Sequence, residues 1–201
     1  MTDILNFLYT LDQDYFGAFW EYVDWLRMVD HGFVLSSTTG TVKDYKEHKD
    51  AEFKVNGKTY SCDVKGPRKS LFTGEFADDI AFELEARNGR IGSGMGNQDF
   101  THYYVVDIQG HFHVLEVRQK ELQSWFLKKE VSEQGNQYYY KRRRSGQSWI
   151  MFAPFVDVIA QRTGVGYYRE NVDKYVIQVY NEVLKNGLSC LDRFVAKKDR
   201  K

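Results

Sequence analysis

The sequence contains few cysteines, no long apolar run and no excess of either charge. Its 201 residues include two cysteines, Cys62 and Cys190, neither in a spacing typical of a metal site. We therefore expect two reduced thiols rather than a disulfide. No segment reaches the roughly 18 apolar residues that span a bilayer, and Met1-Thr2-Asp3 does not begin a basic leader. These absences predict a soluble, cytoplasmic protein that does not enter a membrane.

The charge balance gives no argument for or against a polyanionic partner. The 28 Lys and Arg residues match 28 Asp and Glu residues, so only local clustering can address that question. A hydrophobic fraction of 42%, with 16% aromatic residues, is ample for a packed core. Because no internal repeat, linker or low-complexity block divides the chain, we predict one domain over residues 1–201. Its core would cover about 12–160, followed by a helical C-terminal extension over about 161–201.

The stretch around Asn56-Gly57 predicts a β-hairpin. This dipeptide lies between two segments of alternating polar and apolar residues, which is the strongest short-range hairpin signal. The residues on its polar face would be Asp50, Glu52, Lys54, Ser61, Asp63 and Lys65. Clustered carboxylates repel one another unless a cation lies among them, and oxygen ligands suit Mg²⁺. A second interpretation stays open, in which the charged face of the hairpin is merely solvated.

The spacing of these acids resembles the core motif of the PD-(D/E)XK nucleases. Asp50 is followed, after twelve residues, by Asp63-Val64-Lys65, although Lys49 replaces the proline that usually precedes the first acid. The resemblance implies a restriction-endonuclease-like α/β fold. Its mixed β-sheet of about five strands, flanked by helices, would follow the αβββαβ order. Together with His48 and Gly66, the motif is similar to that of small phage-encoded nucleases.

The resemblance also implies roles for the polar residues. Asp50 and Asp63 would bind Mg²⁺ or Mn²⁺ with the Val64 carbonyl, and Glu52 is an alternative to Asp50 as the first carboxylate. Lys65 would orient or activate the attacking water while remaining cationic, because neighbouring carboxylates favour its charged form.

Helical spacing of apolar residues predicts a first helix over Asp12–Asp30, with Glu21 just off its apolar face. In the nuclease superfamily a glutamate on this helix often points into the metal site, which gives Glu21 a candidate role. Glu83 and Glu85 share a face of a strand predicted over 80–86, and Glu83 would support the site. For each of these glutamates a solvated carboxylate is the alternative.

Further strands are predicted over 99–107, a central strand, and over 112–117, with helices over 118–129 and 169–185. The last helix would pack either on the core or on a second subunit, forming a homodimer. The glycines from Gly89 to Gly96 do not fit a dinucleotide-binding fingerprint, because Asn97 occupies the place of its last glycine.

Local basic clusters supply candidate contacts to a phosphate backbone. Two cations follow the acids directly, and a run of tyrosines and cations spans 138–144, where rings could stack on bases. His48 would touch a phosphate, orient a carboxylate or simply end a strand. The predicted nucleic-acid-binding residues are His48, Arg68, Lys69, Tyr140, Lys141, Arg142, Arg143 and Arg144.

Together these features predict a Mg²⁺-dependent nuclease that hydrolyses DNA phosphodiester bonds. It would act in DNA processing or recombination, with a phage or mobile-element origin and a place in the cytoplasm of an infected host. Two alternatives stay open: a catalytically silent nucleic-acid-binding protein, and a phage-borne module that inhibits a protein partner. The substrate structure and the choice between endo- and exonucleolytic cleavage stay open as well.

Overall fold

The computed structural model describes residues 1–37, 49–68, 75–76, 79–85, 92–130, 139–142, 149–154 and 167–195. The α-helices in these ranges are α1 (Thr2–Thr10), α2 (Gln13–Asp30), α3 (Gln119–Glu130) and α4 (Asp173–Asn186). Short 3₁₀ helices cover Ser93–Met95 and Leu188–Phe194. The strands are β1 (Val34–Ser37), β2 (Ala51–Val55), β3 (Lys58–Lys65), β4 (Asp79–Glu85), β5 (Phe100–Val106), β6 (Phe112–Arg118), β7 (Tyr139–Arg142), β8 (Trp149–Pro154) and β9 (Tyr167–Asn171).

The predicted hairpin is confirmed as β2 and β3. Asn56 and Gly57 have φ values of +49° and +76°, the left-handed backbone that a tight hairpin turn with matching strand twist requires. In the resulting register Ala51 faces Cys62, and Glu52 faces Ser61. The turn thus sets which side chains of the two strands share a face.

The main sheet has six strands in the order β1-β2-β3-β5-β6-β9. β3 and β5 run parallel, and the other neighbours are antiparallel, which makes the sheet mixed as predicted. Tyr104 and Val114 pack on the side of α2 and α4, whereas Tyr103 and Leu115 pack on the side of α3. Apolar residues on both faces of β5 confirm its prediction as a central strand.

The helix α2 begins and ends where the sequence predicts. The Asp12 carboxylate accepts a hydrogen bond from the Tyr15 N–H at 2.9 Å, which caps the first turn. Gly32, at φ +80°, follows the last turn. Trp20 and Phe19 on this helix are fully buried, and each contributes about 1.5–3 kcal/mol by leaving water.

Two parts of the architecture differ from the prediction. The strand β4 does not join the main sheet but forms a second sheet in the order β4-β8-β7. Phe82 of β4 stacks on Phe126 of α3 at 4.2 Å, so β4 covers this helix instead of extending the main sheet. The C-terminal region supplies the edge strand β9, and for that reason α4 begins at Asp173 rather than 169.

The C-terminal helix packs on the core of the same chain, which is the first of its two predicted placements. Tyr175, Val176, Val179 and Val183 are buried in the cluster that contains α2. The thiols of Cys62 and Cys190 are free, as expected. No helix within the described ranges has the length and apolar character needed to cross a membrane.

Candidate active site

The hairpin register brings Asp50 to the same end of β3 as Asp63. The Asp50 N–H donates to the Cys62 carbonyl at 2.9 Å, which continues the β2–β3 ladder by one residue. The Asp50 carboxylate then reaches across to β3, where its Oδ2 accepts from the Val64 N–H at 2.6 Å. A residue predicted only by spacing is therefore fixed by two hydrogen bonds beside the second predicted acid.

Asp63 and Lys65 form an ion pair at the centre of the site. The Lys65 Nζ lies 2.9 Å from Asp63 Oδ1 and 2.8 Å from Oδ2. Asp63 is only 2% exposed and is therefore not a solvated carboxylate, whereas Lys54 on the same predicted face is exposed. Burial lowers the pKa of Lys65, but the carboxylates of Asp63 and Asp50 outweigh it and raise the pKa overall. Lys65 therefore carries its positive charge at neutral pH.

The carboxyls of Asp50 and Asp63 disfavour the ionisation of one another. Burial first, and the negative charge of Asp63 second, raise the pKa of Asp50 to about 8, against the lowering effects of Lys65 and the Val64 N–H. Each negative charge disfavours the other, so the pair favours holding either a proton or a cation.

A small cavity lies next to Asp50. It is lined in part by Glu21, Asp24, Asp50 and Val64, and its volume of about 10 Å³ has room for one water molecule or one ion. Glu21, a candidate from its place on the first helix, thus shares a cavity with Asp50. Asp24, one helical turn further along, lines it too and was missed in the sequence.

Asp24 is held by a buried network under the main sheet. Its Oδ1 accepts from the Tyr104 hydroxyl at 2.7 Å and from Arg27 Nη2 at 3.1 Å, and His102 Nδ1 lies 3.0 Å away. Burial raises the pKa of Asp24, but His102 and then Arg27 outweigh it and hold the pKa below its usual value. The sequence signal was the pair Asp24 and Arg27, three residues apart on a buried helix face.

The same network contains a potential set of metal ligands. Asp24, Cys62 and His102 each place one ligand atom within 4.8 Å of the others, and all three are buried. However, the Arg27 guanidinium lies among these residues, 3.1 Å from Asp24 Oδ1 and 3.3 Å from His102 Nδ1. It already neutralises the negative charge of Asp24. A metal cation bound there would be repelled at close range by the positive charge of Arg27. This favours an ionic core network over a metal site.

Glu83 lies on the β4 side of the site, where its negative charge contributes to the raised pKa of Lys65. Its Oε2 accepts from the Ser93 N–H at 3.1 Å. Gly92 and Gly94 lie so close to Glu83 that a Cβ added at either position would be 2.3 Å or 2.7 Å, respectively, from the Glu83 carbonyl oxygen. The backbone around Gly92 and Gly94 thus fixes Glu83, and close packing accounts for these two glycines.

The other predicted residues are placed less closely. Glu52 of β2 lies opposite Ser36 of β1 and Ser61 of β3. Among the described residues, the small cavity is lined by Asp50 and not by Glu52. Arg68 is half-buried beyond β3. Tyr140, Lys141 and Arg142 lie on β7, and Glu85 ends β4. The predictions for His48, Lys69, Arg143 and Arg144 fall outside the described residues.

Comparison with known proteins gives little. No family model and no curated protein matches the chain. Among solved structures, the bacterial homing endonuclease I-Ssp6803I is similar at 21% sequence identity and a TM-score of 0.33. The match covers 49% of this chain and 64% of the endonuclease, which is less than two thirds of its length. The chemistry therefore rests on the side chains of the site.

Proposed function

We propose that the protein is a metal-dependent nuclease that hydrolyses phosphodiester bonds in DNA. The convergence of Asp50, Asp63 and Lys65 supports this most strongly. Two carboxyls whose negative charges oppose one another, with an ammonium 2.8 Å from Asp63, lie together at the end of β3, and Asp63 among them is buried. Such an arrangement is costly unless a ligand uses it, and for this reason perturbed carboxyls mark functional sites.

The residues present fit Mg²⁺ or Mn²⁺. Asp50 and Asp63 offer hard oxygen donors, which these ions prefer. The raised pKa of Asp50 reflects burial first and the negative charge of Asp63 second, and a cation would offset that charge. We assign Asp50 and Asp63 as ligands, with the Val64 carbonyl and Glu21 completing the set. A bound divalent cation supplies Lewis-acid chemistry and lowers the pKa of bound water.

The chain's own residues act on the substrate through charge and position. Without a metal the carboxylates of Asp63 and Asp50 raise the pKa of Lys65, which favours an electrostatic role for this lysine over that of a general base. It would instead offset the charge of the scissile phosphate and orient the attacking water. Glu83 would keep Lys65 in place, and Arg68 would contact the backbone beyond the site.

The biological setting follows from the resemblance to small phage-encoded nucleases. We propose DNA processing or recombination in the host cytoplasm as the role. The basic run that includes Lys141 and Arg142 would hold the DNA. A homodimer through α4 would use its outward residues Ile177 and Leu184, which are 40% and 64% exposed, because the opposite face packs inside the chain.

The test is cleavage of plasmid, single-stranded and branched DNA with and without Mg²⁺. Asp63→Asn and Lys65→Met should each reduce cleavage by at least about a hundredfold, the effect typical of losing one electrostatic contact in an active site. Asp30→Asn and Lys174→Met are matched controls. They remove the same residue types from an ion pair with the same 2.8 Å distance at the exposed surface, and both should cut as the unmodified protein does.

The outcomes separate the interpretations that the sequence left open. Full cleavage by Asp63→Asn would refute the assigned site. Metal-independent DNA binding without any cleavage would identify a silent nucleic-acid-binding protein. If the protein neither binds nor cuts any of the three DNAs, the nuclease proposal fails, and the protein-interaction module becomes the better account.

A further inference from the structure

A second and much larger cavity lies at the other end of β3. Its volume is about 600 Å³, within the range of small-molecule binding sites. Its walls come from the start of β3 and β5, the loop 96–99 and the start of α3. None of the residues assigned to the proposed active site lines it, so it needs an explanation of its own.

The apolar wall consists of two aromatic rings. Tyr60 and Phe100, both half-buried, line the cavity, and their ring centroids lie 5.8 Å apart in an edge-to-face arrangement. Aromatic rings at the edge of a cleft are the surfaces on which nucleic-acid bases stack, since every base has a π-face.

The polar wall carries the side-chain amides of Asn97, Gln98 and Gln123. Gln98 is only 2% exposed, and its Nε2 donates to the Ser93 carbonyl at 3.1 Å and to Thr101 Oγ1 at 3.3 Å. Its Oε1 is enclosed against Gly96, so this amide braces the wall.

The loop that carries Asn97 and Gln98 is held in place before any ligand arrives. Gln123 Nε2 donates to the carbonyls of Gly94 at 3.2 Å and Gly96 at 2.9 Å, which fastens the loop to α3. A site fixed in this way loses less conformational freedom on binding than a mobile loop would.

The charges around the cavity cancel. Arg118 and Lys120 are matched by Asp99 and Glu121, and Arg118 Nη1 lies 3.3 Å from Glu121 Oε1. The Asp99 Oδ2 also accepts from the Ser61 N–H and hydroxyl. A neutral lining with rings and amides favours a neutral planar ligand with a hydrogen-bonding edge over a free phosphate.

We propose that this cavity binds one unpaired nucleobase of the substrate strand. Tyr60 and Asp63 are three residues apart on β3, a backbone separation of about 10 Å, and their side chains leave opposite faces of the strand. Stacked nucleotides are about 3.4 Å apart along a strand. The substrate strand would have to pass around the end of the sheet to reach the cavity, so the base there would lie at least about three nucleotides from the scissile phosphate. This inference rests on the proposed nuclease function and narrows its substrate to DNA with unpaired bases near the cut.

The test uses single-stranded oligonucleotides in which 2-aminopurine replaces one base at a time. Its fluorescence falls when it stacks on an aromatic ring, and measurements without divalent cation avoid cleavage. We expect quenching at one position, three or more nucleotides from the cut mapped with Mg²⁺. Tyr60→Leu should weaken binding at that position at least about fivefold, the lower end expected for losing one stacked ring. Tyr180→Leu, a half-buried tyrosine on α4, is the matched control and should bind normally.

The free 2-aminopurine nucleoside tests the cavity independently of cleavage. Quenching of the nucleoside that depends on Tyr60 would support the base site even if no DNA is cut, in which case the nuclease proposal alone fails. Cleavage with no position-specific quenching would overturn the base site and leave the nuclease standing. If Tyr60→Leu does not fold, the position scan with the unmodified protein still decides, because uniform or absent quenching refutes the proposal.

Discussion

Replacing Asp50 with asparagine should stabilise the protein when no metal is present and the pH is high. The variant keeps an oxygen that can accept from the Val64 N–H but removes a charge that burial and Asp63 both oppose. Asp50 would then lower the stability of the metal-free protein, although the proposed function requires this residue as a metal ligand. This trade between stability and activity is common at functional sites.

The pKa of Asp50 sets the pH range and the size of the effect. Its pKa rises from the ordinary 3.8 to about 8 on folding, so the folded state favours the protonated form. The stability that folding gains from the protonated Asp50 is complete below about pH 4 and is lost as the pH rises through about 8. The full rise corresponds to at most about 6 kcal/mol. Because water reaches the half-buried carboxyl and Lys65 lies close, we expect about 1–3 kcal/mol of stabilisation in Asp50→Asn above pH 8.

The assay is thermal unfolding in the presence of a chelator at pH 5, 7 and 9. Each kcal/mol should raise the melting temperature of Asp50→Asn by about 2–4 °C relative to the unmodified protein, with the gap widening as the pH rises. Adding Mg²⁺ should stabilise the unmodified protein more than the variant, which has lost a charged ligand. Equal melting temperatures at pH 9, or a variant that is less stable there, would refute the argument that the two carboxyls repel one another.

Further predictions concern the core network and the glycines. Asp24→Asn should destabilise the protein by about 1–3 kcal/mol in urea unfolding at pH 7, because it removes the nearest carboxylate from the buried Arg27, which keeps Glu116 at 3.3 Å and Glu170 at 3.6 Å. Since the pKa of Asp24 is lowered, this loss should shrink as the pH falls below its ordinary 3.8. If Asp24→Asn unfolds like the unmodified protein, the network does not stabilise the fold. Gly94→Ala should cost about 1–3 kcal/mol, because its Cβ would meet the Glu83 carbonyl at 2.7 Å. Gly17→Ala, with nothing within 4 Å, should instead gain up to about 1 kcal/mol, and similar unfolding midpoints for both glycine variants would contradict this packing.

Local signals made much of the site predictable. Asn56-Gly57 determines the hairpin within a few residues, and the hairpin register in turn places Asp50 beside Val64 and Asp63. The apolar spacing on α2 likewise predicts its length and the face that carries Glu21. These features depend on neighbours in the sequence, and for that reason a pattern of residue types captures them.

Features that depend on distant partners were not predictable in the same way. Asp24 and His102 are 78 residues apart, so nothing in the local pattern announces that they meet. The placement of β4 in a second sheet depends on its pairing with β8, and β9 as an edge strand depends on its pairing with β6. Pairings of this kind are decided by the packing of the whole core rather than by the propensity of one segment.

The most direct test of the central claim is the binding of Mn²⁺, measured by electron paramagnetic resonance of the free ion. If Asp50 and Asp63 form a divalent-cation site, the unmodified protein and the surface control Asp30→Asn should bind Mn²⁺ with equal affinity. Asp63→Asn and Asp50→Asn should each bind at least about tenfold more weakly, because each loses a charged ligand. Mn²⁺ binding that is unchanged in both site variants, or absent from the unmodified protein, would contradict the claim.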